Sequence, residues 1–166
     1  FVDVGCGVSS LIPIDMISIS RIEHPSQRFK VGMDIRVIVK DRDAENRIML
    51  THKELLGTWQ ENADKFTVGQ TVAGIVRSIE SYGIFVELVP NLAGLAELSD
   101  DVKIGQSASV YIKNIIPEKM KIKLIIIDAF PAETSAQKPE YFFTGDRIER
   151  FLYSPPGCEK IIKTEF

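Results

Sequence analysis

The sequence is poor in the residues that build metal centres, disulfide scaffolds and membrane spans. Its two cysteines, Cys6 and Cys158, stand at opposite ends of 166 residues, without the paired spacing of a zinc site or the cysteine density of an oxidised secreted module. A reducing, cytoplasmic setting is therefore expected. Neither histidine, His24 or His52, has a plausible nucleophile beside it in sequence. Gly5-Cys6-Gly7 lacks the third glycine and following helix of a phosphate loop, and Asp100-Asp101 reads as a solvated acidic pair. No catalytic set, metal site or cofactor is expected. The longest apolar run, Leu124 to Ile127, stops at Asp128, far short of the roughly 18 residues a membrane span needs.

Excess charge of one sign is also missing. Twenty Lys plus Arg against 23 Asp plus Glu leave a net charge of -3, so broad electrostatic coating of a polyanion is excluded and any such binding belongs to a local patch. There is no initiator methionine or signal-like segment ahead of Phe1, and the sequence reads as a portion of something longer. What is present is ordinary globular composition, 45% hydrophobic and 26% charged, in a length that fits one domain or two small ones.

The informative feature is internal repetition. Phe1-Val2-Asp3-Val4 and Phe85-Val86-Glu87-Leu88 share one pattern, and Leu11 and Leu95 each follow ten residues after their Phe. Gly32 and Gly105 then precede the alternating segments Ile35 to Val39 and Val110 to Ile112. Arg47-Ile48-Met49-Leu50 and Lys121-Ile122-Lys123-Leu124 lie 15 and 16 residues beyond those glycines. The copies differ mainly in the loop between Leu and Gly, 21 residues in the first and 10 in the second. The second copy also has a leading strand, Thr71 to Ile79, and a turn at Ser81 to Gly83, with no counterpart in the first. Short alternating strands divided by such turns predict a small closed β-barrel.

Period-two alternation assigns faces to the strands. Val86 and Leu88 point inward, leaving Phe85 and Glu87 outside; Phe1 and Asp3 lie outside by the same reasoning. Ile48 and Leu50 leave Arg47 outside, and Ile122 and Leu124 leave Lys121 and Lys123 outside, with Lys119 just before them on what reads as an edge strand. Each unit thus presents a ring and a base, which suits stacking of unpaired bases and contact with phosphate. Tyr82 adds a second ring beside Phe85. The plainer readings are a contact with a neighbouring domain for the outward Phe, and protection of an edge strand against aggregation for the lysines.

Thr58-Trp59-Gln60-Glu61 has the form of a capping box and predicts a short helix over 58–64, with Trp59 packed between the units. The Pro-, Ala-, Ser- and Glu-rich residues from 131 to 140 read as a linker. Beyond it an aromatic-rich tail is expected to dock on a barrel. Ser154-Pro155 suits the start of a helix over 157–163, and both helix and strand fit Ile148 to Tyr153.

These residues resemble the S1 RNA-binding domain family, the OB-fold repeat named for a bacterial small-subunit ribosomal protein. The resemblance is carried in the second copy by the glycine and hydrophobic pattern from Val68 to Leu124. In the first it is carried by His24 to Ser26, Asp43 to Ile48 and Lys53 to Trp59. It covers about residues 1–130. It implies an all-β chain of two tandem OB-fold five-stranded β-barrels, the first lacking its N-terminal strand; the tail, which the resemblance does not reach, reads from its own residues as a C-terminal α/β extension. The corresponding divisions are 1–57, a connecting helix at 58–65, 66–130, a linker at 131–140 and a docking segment at 141–166. It also implies that RNA lies across Phe1, Asp43 and Arg47 in the first copy and Tyr82, Phe85 and Lys121 in the second. Pro13 and Glu97 occupy the position of the family's usual histidine, and Ile116 that of its aspartate. The expected activity is non-catalytic binding of single-stranded RNA in translation or RNA metabolism, with the ribosome or other proteins as further partners. The alternative is a protein-interaction scaffold built from the same barrels.

Overall fold

The structure, a computed structural model, describes residues 1–131 and 138–166; most of the segment read as a linker lies outside the described residues. The chain opens with a small sheet in which β1 (Ser10–Leu11) pairs in parallel with β3 (Ile48–Thr51), and β3 pairs antiparallel with β2 (Ile38–Arg42). A five-residue helix, α1 (Trp59–Ala63), leads into β4 (Thr71–Glu80), β5 (Gly83–Val89), β6 (Leu92–Ala96), β7 (Ser107–Ile116) and β8 (Lys121–Phe130). These five close into a barrel in the order β4-β5-β6-β8-β7, antiparallel except for the parallel β6–β8 pair. A last hairpin joins β9 (Arg150–Leu152) to β10 (Lys163–Glu165).

The barrel closes because alternate residues are apolar and small residues stand where strands approach closely. Val76, Ile84, Val86, Val110, Ile112, Ile122 and Leu124 point inward and are almost wholly buried. A Cβ on Gly94 would lie 2.6 Å from Leu124 Cδ1, so at this parallel junction only glycine fits without displacement.

The repeat extends to register. Leu11 faces Met49 as Leu95 faces Lys123. Val39 faces Leu50 as Ile112 faces Leu124, and in both ladders one extra residue follows, Lys40 in β2 and Lys113 in β7, before Asp41 meets Met49 and Asn114 meets Lys123. The first copy is nevertheless an open three-stranded sheet and not a closed barrel among the described residues. Phe1 to Val4, expected as a strand, contributes a single bridge between Val2 and Ser10. Ile35 to Val37 are likewise outside any strand. Their counterparts in β7 are held between β4 and the far half of β8. In the first copy β3 ends at Thr51, where the chain turns into the 3₁₀ turn Lys53–Leu56.

Thr58 caps α1, its Oγ1 accepting from the Glu61 amide at 3.1 Å while Glu61 Oε1 accepts from the Thr58 amide at 3.0 Å. The tail packs on both units. Phe151 and Tyr153 are buried in the barrel's core cluster, and the Tyr153 hydroxyl donates to the Asn91 carbonyl. The helix expected over 157–163 is absent, so the extension is β and not α/β. Pro156 has no amide to donate, Gly157 takes a left-handed φ of +80°, and Tyr153 donates its amide to the Ile162 carbonyl at 2.9 Å, drawing residues 150–152 and 163–165 into a hairpin.

Candidate nucleic-acid interface

The outward side of the barrel carries one continuous lateral row. Phe85 on β5 is opposite Ser78 on β4 and Leu95 on β6; Leu95 is opposite Lys123 on β8; Lys123 is opposite Asn114 on β7. Two strand spacings, on the order of 10 Å, separate Phe85 from Lys123. Tyr82 is 66% exposed and stands edge-on to Phe85, ring centroids 6.1 Å apart at 86°. The inward neighbours Ile84 and Val86 are fully buried, which directs the half-buried Phe85 ring outward as alternation predicts. Lys121 and Lys123 are exposed on β8, and among the described residues no carboxylate lies within 4.0 Å of either or of Lys119. Rings at the start of β5 and cations on β8 thus stand on one face with β6 between them.

Three expectations change. The strand bearing Lys121 and Lys123 is not an edge, because β8 pairs with β6 on one side and β7 on the other, and barrel closure leaves these lysines no edge to protect. Lys119 is not on that strand; it ends the 3₁₀ turn Pro117–Lys119, and the chain reaches β8 through Met120 at φ +49°. Glu87, expected in water beside Phe85, is only 4% exposed. Arg28 of the first unit reaches it from 59 residues away, donating through Nη1 to Oε2 at 2.8 Å and through Nη2 to Oε1, while Arg77 Nη2 donates to Oε2 at 3.0 Å. Nothing local to Glu87 signals this burial.

The corresponding face of the first unit is arranged differently. Phe1 is 89% exposed beyond the sheet. Asp43 and Arg47 face each other across the β2–β3 turn. Asp43 Oδ1 accepts from the Arg47 amide at 2.8 Å and the Glu45 amide at 3.0 Å, and Oδ2 accepts from Arg47 Nε at 2.7 Å. Backbone donation from Arg47, then its guanidinium, hold the Asp43 carboxyl below its usual range, and the same pairing raises Arg47. Of the expected site residues, the structure joins Asp43 to Arg47 and Tyr82 to Phe85, and no hydrogen bond or ion pair links those of the first copy to those of the second among the described residues.

The two units meet through polar contacts as well as core packing. Asn91 is fully buried; its Nδ2 donates to the carbonyls of Lys53 at 2.8 Å and Gly57 at 2.9 Å, and its Oδ1 accepts from the Ile19 amide at 3.0 Å. His52 anchors the tail. Its Nδ1 lies 2.7 Å from the Ile17 carbonyl, which can only accept, so Nδ1 carries the proton and Nε2 accepts from the Tyr141 hydroxyl at 3.0 Å. Burial holds His52 below its ordinary value. Among the described residues no group of three or more His, Cys, Asp or Glu is placed to hold a metal ion. No helix of the described chain is long and apolar enough to cross a membrane.

Residues 1–53 match the family model described as S1 RNA binding domain. A protein named small ribosomal subunit protein bS1 homolog, from Bacillus cereus, is 32% identical over 166 residues, 96% of this chain and 42% of that protein. The chain carries S1-type domains. A small ribosomal subunit protein bS1 from Chlamydia muridarum is 33% identical over 140 residues, 76% of this chain and 25% of that protein. A protein of Clostridium tetani named 4-hydroxy-3-methylbut-2-enyl diphosphate reductase is 35% identical over 139 residues, 76% of this chain and 22% of that protein. The chain thus spans between about a fifth and two fifths of the length of these relatives.

Proposed function

We propose that this chain is a non-catalytic binder of single-stranded RNA, built from two tandem S1-type OB units and acting in cytoplasmic translation or RNA metabolism. The observation that carries the reading is the row Phe85–Leu95–Lys123 with Tyr82 beside it, on a closed five-stranded barrel. Unpaired bases stack on the two rings, and Lys121, Lys123 and Lys119 meet the phosphates. Stacking is indifferent to sequence because every base has a flat face, and each stacked base contributes about 1–3 kcal/mol. The first unit adds Phe1 as a further ring, while Asp43 orients Arg47 and leaves part of its guanidinium for phosphate. Association with the ribosome follows from the names of the bS1 relatives.

Fluorescence anisotropy with a labelled, unstructured RNA of about a dozen nucleotides, the range of one or two OB sites, tests the reading directly. Saturable binding that weakens as salt rises is expected; no binding at low salt by folded protein overturns it.

A second reading, a protein-docking scaffold, is favoured by one observation: the outer face of β5 at Glu87 is already covered by protein through Arg28. Purification with a stable protein partner and no nucleic acid would support it.

A further inference from the structure

We infer that Lys113 is a phosphate-contacting residue of the RNA face, aimed there by a β-bulge; this rests on the reading just proposed. Three observations carry it. First, β7 and β8 pair Ile112 with Leu124 and Asn114 with Lys123, which leaves Lys113 as the extra residue. A bulge releases its extra residue from the ladder and re-aims its side chain, and such bulges recur beside binding sites.

Second, the first unit has the same bulge at the same place. Val39 pairs with Leu50 and Asp41 with Met49, and the extra residue is again a lysine, Lys40. The residues that follow are unlike, Asp41 and Arg42 against Asn114 and Ile115. A long cation is thus retained at the extra position of both repeats while its surroundings differ.

Third, Lys113 reaches over the face that the proposed function uses. Its Nζ lies 3.8 Å from Glu97 Oε1, just past the end of β6, and β8 with Lys123 runs between those two strands. Both side chains are more than half exposed, so water and salt screen the pair and a phosphate can displace the carboxylate. Glu97 is then an internal competitor: it holds Lys113 over the face when RNA is absent and opposes phosphate when RNA arrives.

The test is the dependence of affinity on salt, read by anisotropy with the labelled dozen-nucleotide RNA. One phosphate contact on a single strand contributes about 0.7 to the slope of log affinity against log salt. Lys113→Ala is expected to reduce the slope by about that amount and to weaken binding several-fold at low salt. Lys160→Ala, at an exposed lysine of the tail, removes the same charge and is expected to leave the slope unchanged. Glu97→Gln is expected to tighten binding, and the Lys113→Ala/Glu97→Gln double variant to lose most of that gain. The inference is overturned if Lys113→Ala matches Lys160→Ala while Phe85→Ala still weakens binding. Failure of the unaltered protein to bind at low salt overturns the proposed function instead, so the two failures are distinct. Circular dichroism of each variant establishes that the protein tested is folded.

Discussion

Arg28 and Glu87 form a buried ion pair across the seam between the first sheet and the barrel, 9% and 4% exposed. Arg77 shares the same carboxylate, and its own Nε is buried without a partner among the described residues. Two guanidiniums therefore depend on one carboxylate. Removing that carboxylate leaves buried positive charge uncompensated, which costs about 3–5 kcal/mol where it has been measured. Glu87→Ala is expected to lower stability by that order, and urea denaturation followed by circular dichroism measures it. Loss of under about 1 kcal/mol, the range of an exposed pair, would show that the seam opens to water.

Phe85 is half-buried where its inward neighbours Ile84 and Val86 are sealed in the core. Phe85→Ala is expected to weaken RNA binding by about 1–3 kcal/mol, the contribution of one stacked base. Ile84→Ala or Val86→Ala, at fully buried positions, is expected to act mainly on stability through the cavity it leaves. Anisotropy and thermal melting on the same samples separate the two. Unchanged RNA affinity in folded Phe85→Ala would make this ring a packing residue that serves Tyr82.

Asp43 holds the β2–β3 turn through two backbone amides as well as the Arg47 side chain. Asp43→Ala is expected to speed hydrogen exchange at Glu45 and Arg47 while leaving the amides of β7 and β8 unchanged. It also leaves Glu45, whose Oε2 lies 3.4 Å from Arg47 Nε, as the remaining carboxylate beside that guanidinium. Exchange at those two amides equal to that of the unaltered protein would rule out the carboxylate as the brace.

His52 makes stability depend on pH with a definite sign. Burial lowers its pKa in the folded state below the ordinary value near 6.5, so between the two values the unfolded chain takes up a proton that the native chain refuses. Stability is therefore expected to fall as pH drops from above 6.5 through the folded value. Protonation would also turn Nε2 into a donor, so the Tyr141 hydroxyl that donates to it would have to turn and accept instead. Melting temperatures at pH 7.5, 6.5 and 5.5 for the unaltered protein and His52→Gln check this. The variant is expected to be less stable at the highest pH and flatter across the series, and parallel curves would remove His52 as the cause.

Much of the site is local in origin. The outward placement of Phe85, Lys121 and Lys123 follows from alternation over a few residues, and the cap on α1 from Thr58 and Glu61, three positions apart. The tail shows the limit of such reasoning. Ser154-Pro155 is a reasonable helix start, but beyond it the Ile162 carbonyl accepts from the Tyr153 amide, the Ile162 amide donates to Ser154 Oγ, and Thr164 pairs with Phe151.

By itself the sequence determined the repeated unit and, along the strands that form, the alternation of inward and outward side chains, because these depend on neighbours a few bonds away. Tertiary structure decided which of those outward faces stay wet. Glu87 and Phe85 alternate identically, yet one is sealed by Arg28 and the other is left beside Tyr82, since burial depends on which distant segment arrives to cover a face. It also decided that β8 has no free edge and that Lys113 is an extra residue in its ladder. Both are properties of how strands meet, and a single strand's residues carry no record of them.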